Sequence, residues 1–360
     1  MLWFIITTGA CNLRCLYCGG SFPDKYAPHR PRVSPEKVAD FIARVDRSPV
    51  VFFYGGEPLV NPGFIRAVMD RLRGRAVFGI QTNGLLYRSL PDRYWAMMDT
   101  VLLSIDGREE ITDKWRGRGV YRRVLRALRH LQALREKHGA PKTIIARMTV
   151  TQDTDIYTDV MHLLELGFDK AHWQLNAVWS EEWPLPRWAR ESYLPGLERL
   201  ARWVAEDPPA RLRRIVPFHG VASMLLHGSR MWTPCGAGRH AFTINSDGRI
   251  LACPIAVREG WATLGHVDKG FHPIDGHVLD RCRGCPYYQV CGGRCLYAKI
   301  EEETMWGREL LEELDRVTRA TFDIVFRIVV PAVLRAVERG EMTPGDVYYD
   351  PLLESTEVVP

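Results

Sequence analysis

The sequence predicts an α/β fold: a partial (β/α)6 barrel of the TIM type, then a small cysteine-rich domain, then a C-terminal helix and tail. Three observations carry this expectation. From residue 1 to about residue 176, short apolar runs alternate with amphipathic stretches through six units, the pattern of parallel strands joined by right-handed helical crossovers. Polar and glycine-rich groups recur just after the apolar runs, at the strand ends where such barrels carry their chemistry. The nine cysteines fall into two tight groups more than two hundred residues apart, which marks a change of architecture along the chain.

The strands are expected at Leu2–Thr7, Val50–Tyr54, Ala76–Thr82, Thr100–Ile105, Thr143–Val150 and Ala171–Asn176. Each is a strand-like, largely apolar run. Helices are expected at Pro35–Val45, Gly63–Leu72, Asp92–Met98, Tyr121–Lys137 and Ile156–Leu166. The first opens on Ser34-Pro35, an N-cap followed by a proline at the first helical position. A further helix over about residues 188–206 ends at Asp207-Pro208-Pro209. These signals divide the chain into a barrel (1–206), a bridging segment (207–231), a cysteine-rich domain (232–316) and a C-terminal helix and tail (317–360).

An apolar fraction of 46% can fill a sizeable core, and a net charge of +5 with interspersed signs does not suit a nucleic-acid partner. The N-terminal apolar run has no basic leader, so a secretory signal is not expected. The stretch from Ile324 to Val337 is broken by Arg327, Pro331 and Arg335, which argues against a membrane span. Nine is an odd number for a disulfide framework, so metal ligation in a reducing cytoplasm is the expected use of the cysteines.

Cys11, Cys15 and Cys18 form C-x3-C-x2-C directly after the first strand. Three thiolates saturate neither a tetrahedral zinc nor a [4Fe–4S] cube, so one coordination position stays open; a distant histidine completing a zinc site is the alternative. The other strand-end groups are Gly55-Gly56-Glu57-Pro58, Gln81-Thr82-Asn83-Gly84, Ser104-Ile105-Asp106-Gly107 and Gln174-Leu175-Asn176. Paired glycines permit a close backbone approach to a ligand. Ser104 and Asp106 can hydrogen-bond hydroxyls or cap strand ends, and the fork of Arg147 can hold a ligand carboxylate or a structural one.

The cysteine loop, with Tyr17 before its third cysteine, resembles that of the radical S-adenosylmethionine (SAM) superfamily, and Gly55-Gly56-Glu57 is similar to its amino-group motif. The resemblance implies a [4Fe–4S] cluster on Cys11, Cys15 and Cys18, and SAM contacts from Tyr17, Gly55, Gly56, Glu57, Asn83, Ser104, Asp106 and Arg147. Asp106-Gly107, Asp113…Arg116 and Gly117…Tyr121 look like a stretch of sulfatase-maturing and peptide-modifying members. The later cysteines, Cys235-x12-Gly248-x4-Cys253 and C-x2-C-x5-C-x3-C at Cys282, Cys285, Cys291 and Cys295, match six of the seven in the SPASM auxiliary-cluster domain. Zinc-ribbon ligation is the alternative.

By position, Cys235, Cys253 and Cys295 would hold one auxiliary cluster, and Cys282, Cys285 and Cys291 a second. No cysteine follows Cys295, so a seventh ligand must be of another kind; Asp315 stands near its place, with Glu301, Glu302 and Glu303 as competitors. The whole chain, including Tyr348-Tyr349-Asp350-Pro351 and Ser355–Pro360, resembles an archaeal family of peptide-modifying radical SAM enzymes. The implied activity is reductive SAM cleavage to a 5′-deoxyadenosyl radical and oxidation of a peptide or protein side chain, one or two auxiliary clusters accepting an electron or binding substrate. Formylglycine formation is one alternative; a cluster protein that transfers electrons without cleaving SAM is another. Implied partners are the peptide, a low-potential donor such as ferredoxin or flavodoxin, and a separate leader-recognition protein, since the chain starts almost at its first strand. The tail is expected to pack back across the barrel, either shaping the substrate site or docking on the surface.

Overall fold

A computed structural model describes residues 1–177, 184–228, 233–274, 282, 284–301 and 307–354. Its centre is one ten-stranded sheet in the order β10-β9-β8-β7-β1-β2-β3-β4-β5-β6. Strands β1 (Leu2–Ile6), β2 (Val50–Tyr54), β3 (Val77–Thr82), β4 (Met98–Ser104), β5 (Thr143–Val150) and β6 (Lys170–Leu175) run parallel, in sequence order. Helices α1 (Pro35–Val45), α2 (Pro62–Arg71), α3 (Asp92–Trp95), α4 (Glu109–Arg116), α5 (Val120–His138) and α6 (Ile156–Glu165) connect them. The Ser34 hydroxyl caps α1 by accepting from the amide of Lys37.

The sheet does not stop at the barrel. From the cysteine-rich region, β7 (Ala241–Ile244) adds to β1 in parallel, and β8 (Arg249–Leu251), β9 (Thr263–His266) and β10 (Gly270–Phe271) follow antiparallel. Cys235 and Cys253 of the second cysteine group therefore flank strands β7 and β8, beside the strand that leads into the cysteine loop.

Three local differences from the sequence reading have physical causes. Met97 and Met98 were expected at the end of a helix, but Met98 pairs with Phe78 across a bulge and starts β4, leaving α3 one turn long. Helix α4 was not anticipated. The helix expected over 188–206 is instead α7 (Leu185–Trp188), a π-turn at Ala189–Tyr193 and α8 (Leu194–Glu206). Pro195 lacks the N–H that a regular α-helix needs there, so the ladder widens just before it. The same device recurs at Val325–Val329, before Pro331, between α13 (Gly307–Ile324) and α14 (Val330–Glu338). Short helices α9 (Pro208–Arg211), α10 (Val216–His227), α11 (Tyr288–Cys291), α12 (Leu296–Ile300), α15 (Pro344–Val347) and α16 (Pro351–Glu354) complete the list in chain order.

Strand alternation splits the core in two. Trp3, Ile5, Val51, Phe53, Ile80, Leu103 and Ala146 face the helices, while Leu2, Val50, Phe52, Leu102, Ile145 and Ala241 fill the barrel interior towards the strand starts. Gly79 belongs to this filling, because a Cβ there would stand 2.3 Å from the Phe52 ring. The interior is thus solid near the amino ends and polar near the carboxyl ends.

The C-terminal tail does cross the barrel, but at the mouth opposite the cysteine loop. A Thr343–Asp346 capping box starts α15, the amide of Tyr349 donates to Ser223 Oγ at 2.9 Å, and Glu354 pairs with Lys170, the first residue of β6. Leu352 packs on the interior cluster of Leu2, Val50 and Phe52. It therefore closes the amino-terminal mouth and lies away from the cysteine loop. Ser355–Pro360 lie outside the described residues.

Candidate active site

The cysteine loop begins where β1 ends and is held by close backbone packing. A Cβ on Gly9 would stand 2.0 Å from the Ala27 carbonyl oxygen, one on Gly55 2.3 Å from that of Thr8, and one on Gly56 2.4 Å from that of Ala10. The amides of Gly56 and Glu57 donate to the Thr8 and Ala10 carbonyls at 3.1 and 2.9 Å. The glycine pair, expected to admit a ligand, first of all admits the cysteine loop. The Cys11 amide donates to Ser21 Oγ at 2.9 Å, and that of Leu16 to the Trp115 carbonyl of α4 at 2.9 Å.

Burial pushes the Cys11 thiol up to about 11. The closeness of the Cys15 and Cys18 thiols draws Cys18 down to about 6 and raises Cys15. Among the described residues, no three His, Cys, Asp or Glu side chains are grouped for a single metal ion. What favours an iron–sulfur cluster is the donor set, three soft thiolates, and their convergence on one cavity.

That cavity, of about 610 Å³, is lined by Cys11, Cys15 and Cys18 together with Tyr17, Gly55, Gly56, Glu57, Asn83, Ser104 and Arg147. Glu57 is 1% exposed. Its Oε1 accepts from the Leu59 amide at 3.0 Å and Thr82 Oγ1 at 2.6 Å, and its Oε2 from the Asn83 amide at 2.8 Å. Burial nevertheless pushes its carboxyl up to about 7. The Asn83 side-chain amide donates to Asn12 at 2.8 Å, tying the end of β3 to the cysteine loop. Ser104 pairs with Arg147 across the β4–β5 ladder, and Arg147 Nη1 lies 2.9 Å from Nδ1 of the fully buried His172.

Asp106 departs from the expectation of a cofactor contact. It is fully buried and does not line the cavity. Its Oδ2 accepts from Arg116 Nε at 2.8 Å and the Tyr17 hydroxyl at 2.9 Å, and its Oδ1 from Arg116 Nη2 and the Thr149 amide, both at 2.8 Å. Its lone pairs are spent inside the protein, where it ties the cysteine loop to α4 and β5. Tyr17 lines the cavity but is also stacked on Trp115, ring centroids 6.0 Å apart. Asp113 is a scaffold residue as well, accepting from the amides of Gly119 and Tyr121 at 2.6 and 2.8 Å.

The second cysteine group reaches the same cavity. Cys295 lines it, beside Ile255, Val257, Arg258, Glu259 and Tyr297. Cys235 packs with Ala237, Ala252 and Leu296, while Cys253 and Cys295 pack with Ala256, Ala262 and Tyr297; Trp261 belongs to both clusters. The Cys285 amide donates to the Cys282 carbonyl at 3.0 Å. Burial pushes Cys291 up to about 11, with Arg294, Asp315, Lys299 and Cys282 as its charged neighbours. Asp315 is therefore beside Cys291, but its Oδ2 accepts from Lys299 Nζ at 2.7 Å. Glu301 accepts from Trp261 Nε1 at 2.6 Å; Glu302 and Glu303 lie outside the described residues.

His172, Arg258 and Glu259 were not singled out from the sequence. The alternation Lys170-His172-Gln174 along β6 was the available sign that His172 faces inward.

Residues 5–164 match the Radical SAM superfamily. The mycofactocin maturase MftC of Mycobacterium tuberculosis (strain ATCC 25618 / H37Rv) is 26% identical over 316 residues, covering 81% of this chain and 77% of MftC. An uncharacterized protein of Archaeoglobus fulgidus is 25% identical over 365 residues, covering 92% and 83%. The structure of native anSMEcpe with bound AdoMet and Cp18Cys peptide superposes with a TM-score of 0.69 at 20% identity, covering 93% of this chain and 99% of that one. Among the described residues no helix is long and apolar enough to cross a membrane. The match to the Radical SAM superfamily runs from within β1 to within α6 and takes in the cysteine loop.

Proposed function

We propose that this chain is a radical SAM enzyme of the SPASM type that oxidatively modifies a peptide or protein side chain. The observation that carries the reading is a single cavity bounded on one side by Cys11, Cys15 and Cys18 and on the other by Cys295. A protein that only carried electrons would have no use for so large a cleft between its cysteine groups. The peptide-bound neighbour of the same fold and the maturase relative favour a peptide as the molecule that enters.

Cys11, Cys15 and Cys18 would hold the [4Fe–4S] cluster, with Glu57 facing the amino group of SAM and Arg147 its carboxylate. Cys235, Cys253 and Cys295 would hold an auxiliary cluster at the cavity wall, and Cys282, Cys285 and Cys291 a second, with Asp315 available beside Cys291. When bound, cluster and SAM supply a 5′-deoxyadenosyl radical that takes a hydrogen atom from the substrate. The chain's own part is to fix those groups, to exclude water with Ile255 and Val257, and to present Arg258 and Glu259 to the incoming peptide. A low-potential donor such as ferredoxin or flavodoxin and a separate leader-binding protein fit this reading. Formylglycine chemistry gains no specific support, since Asp113 and Arg116, which suggested it, are both spent on scaffold contacts.

Anaerobic reconstitution with iron, sulfide, SAM and dithionite tests the reading. Formation of 5′-deoxyadenosine, lost when Cys11, Cys15 and Cys18 are replaced by Ala, is the expected result. A protein with its full iron complement that leaves SAM intact overturns it. Co-expression with a candidate peptide and mass measurement then identifies the modification.

A further inference from the structure

Arg294 breaks two structural rules at once. Among the described residues it is the single non-glycine with a positive φ, 63°, a conformation L-residues adopt at a cost and keep only where the surroundings enforce it. The residue is 8% exposed, and its Nε is buried with no hydrogen-bond partner. No carboxylate among the described residues forms an ion pair with it, and the nearby Asp315 pairs with Lys299 through Oδ2. A buried N–H donor left without an acceptor is unfavourable, and a backbone strained to put it there compounds the cost. The charge is placed among cysteines: Arg294 lies between Cys291 and Cys295 in the chain, its amide donates to the Cys291 carbonyl at 2.9 Å, and Cys291 is a neighbour that feels its charge.

We propose that Arg294 is the cationic partner of the auxiliary iron–sulfur cluster at Cys282, Cys285 and Cys291, its Nε–H donating to a sulfur there and raising the potential of that centre. The inference rests on the auxiliary-cluster reading above. Thiolate ligation makes such a centre anionic, and each electron it accepts adds one negative charge. A fixed positive charge with a donor aimed at sulfur stabilises the reduced state more than the oxidised one. Arg294 is thus a positioning and tuning residue, suited to a centre that takes the electron left when a substrate is oxidised.

The test compares wild type, Arg294→Met and Arg294→Lys as reconstituted holoproteins, by iron content and by redox titration of the auxiliary signal. Arg294→Met is expected to keep its iron while its reduction equilibrium shifts at least tenfold towards the oxidised form, about 59 mV for one electron. Arg294→Lys should fall between it and wild type. In iron-free protein Arg294→Met should melt no lower than wild type, since the lone guanidinium contributes nothing favourable there. An unchanged potential overturns the proposal. If Arg294→Met loses its iron, retention in Arg294→Lys supports the proposal; loss in both, with iron-free melting lowered as well, makes Arg294 a scaffold residue and overturns it. A Cys11/Cys15/Cys18→Ala protein that binds no iron would instead remove the auxiliary-cluster reading itself.

Discussion

Arg116 grips Asp106 with two parallel hydrogen bonds of 2.8 Å, Nε to Oδ2 and Nη2 to Oδ1, and both side chains are buried. The same carboxylate takes the Tyr17 hydroxyl and the Thr149 amide, so the cysteine loop, α4 and β5 meet at one residue. Breaking a buried pair by removing one partner leaves the other charge uncompensated. Asp106→Asn is expected to cost on the order of 3–5 kcal/mol in chemical denaturation of the iron-free protein. Because Tyr17 sits between Cys15 and Cys18, iron retention should fall with it. A variant as stable as wild type would show that the node is incidental.

His172 faces Arg147 across the β5–β6 ladder, Nδ1 to Nη1 at 2.9 Å. If Arg147 holds the carboxylate of SAM, His172 fixes its guanidinium from behind. His172→Ala should weaken SAM binding by roughly tenfold, the worth of one hydrogen bond to a charged group. Binding of 5′-methylthioadenosine, which lacks that carboxylate, should be unchanged. Equal losses for both ligands in calorimetry would assign His172 to general packing.

Much of this architecture was legible in the chain. Strands β2 and β5 and helix α1 fall where periodicity and capping put them, because their signals are local: a run of β-branched or aromatic residues, or Ser34-Pro35 before an amphipathic face. Helix α4 was hidden because its short sequence is mostly charged, and the role of Asp106 was hidden because its partners are up to 89 residues away. No local pattern announces that a carboxylate will be used up by a distant tyrosine. The joining of β7 to β1 was illegible for the same reason, since the pairing spans more than two hundred residues of chain. The left-handed backbone of Arg294 sits where a residue that shuns it must be held by tertiary contacts, which sequence does not show.

The tail makes a different kind of prediction. Leu352 fills the amino-terminal mouth and Glu354 meets Lys170 there, far along the strands from the cysteine loop. Truncation after Asp350 should therefore lower the stability of the iron-free protein by about 1–3 kcal/mol, the scale of one lost apolar side chain with its contacts. Iron content and SAM affinity per folded molecule should be retained. Selective loss of SAM binding at unchanged stability would place the tail in the functional site after all.

Glu57 couples the site to pH. Its carboxyl is pushed from 4.5 to about 7 by burial, so the folded state holds a proton that the unfolded chain releases near pH 4.5. A group raised in this way stabilises the fold most below its unfolded value, and that contribution is lost as pH rises through about 7. The difference in unfolding free energy between wild type and Glu57→Ala should thus shrink, by on the order of 3 kcal/mol, between pH 4.5 and pH 8. Glu57→Gln cannot serve as a neutral mimic. Each oxygen faces a backbone N–H, from Leu59 on one side and Asn83 on the other, so the amide nitrogen would meet a donor in either orientation. A wild-type advantage that grew with pH would mean that the three donors hold Glu57 ionised, and the carboxylate would then be charged before any ammonium group reached it.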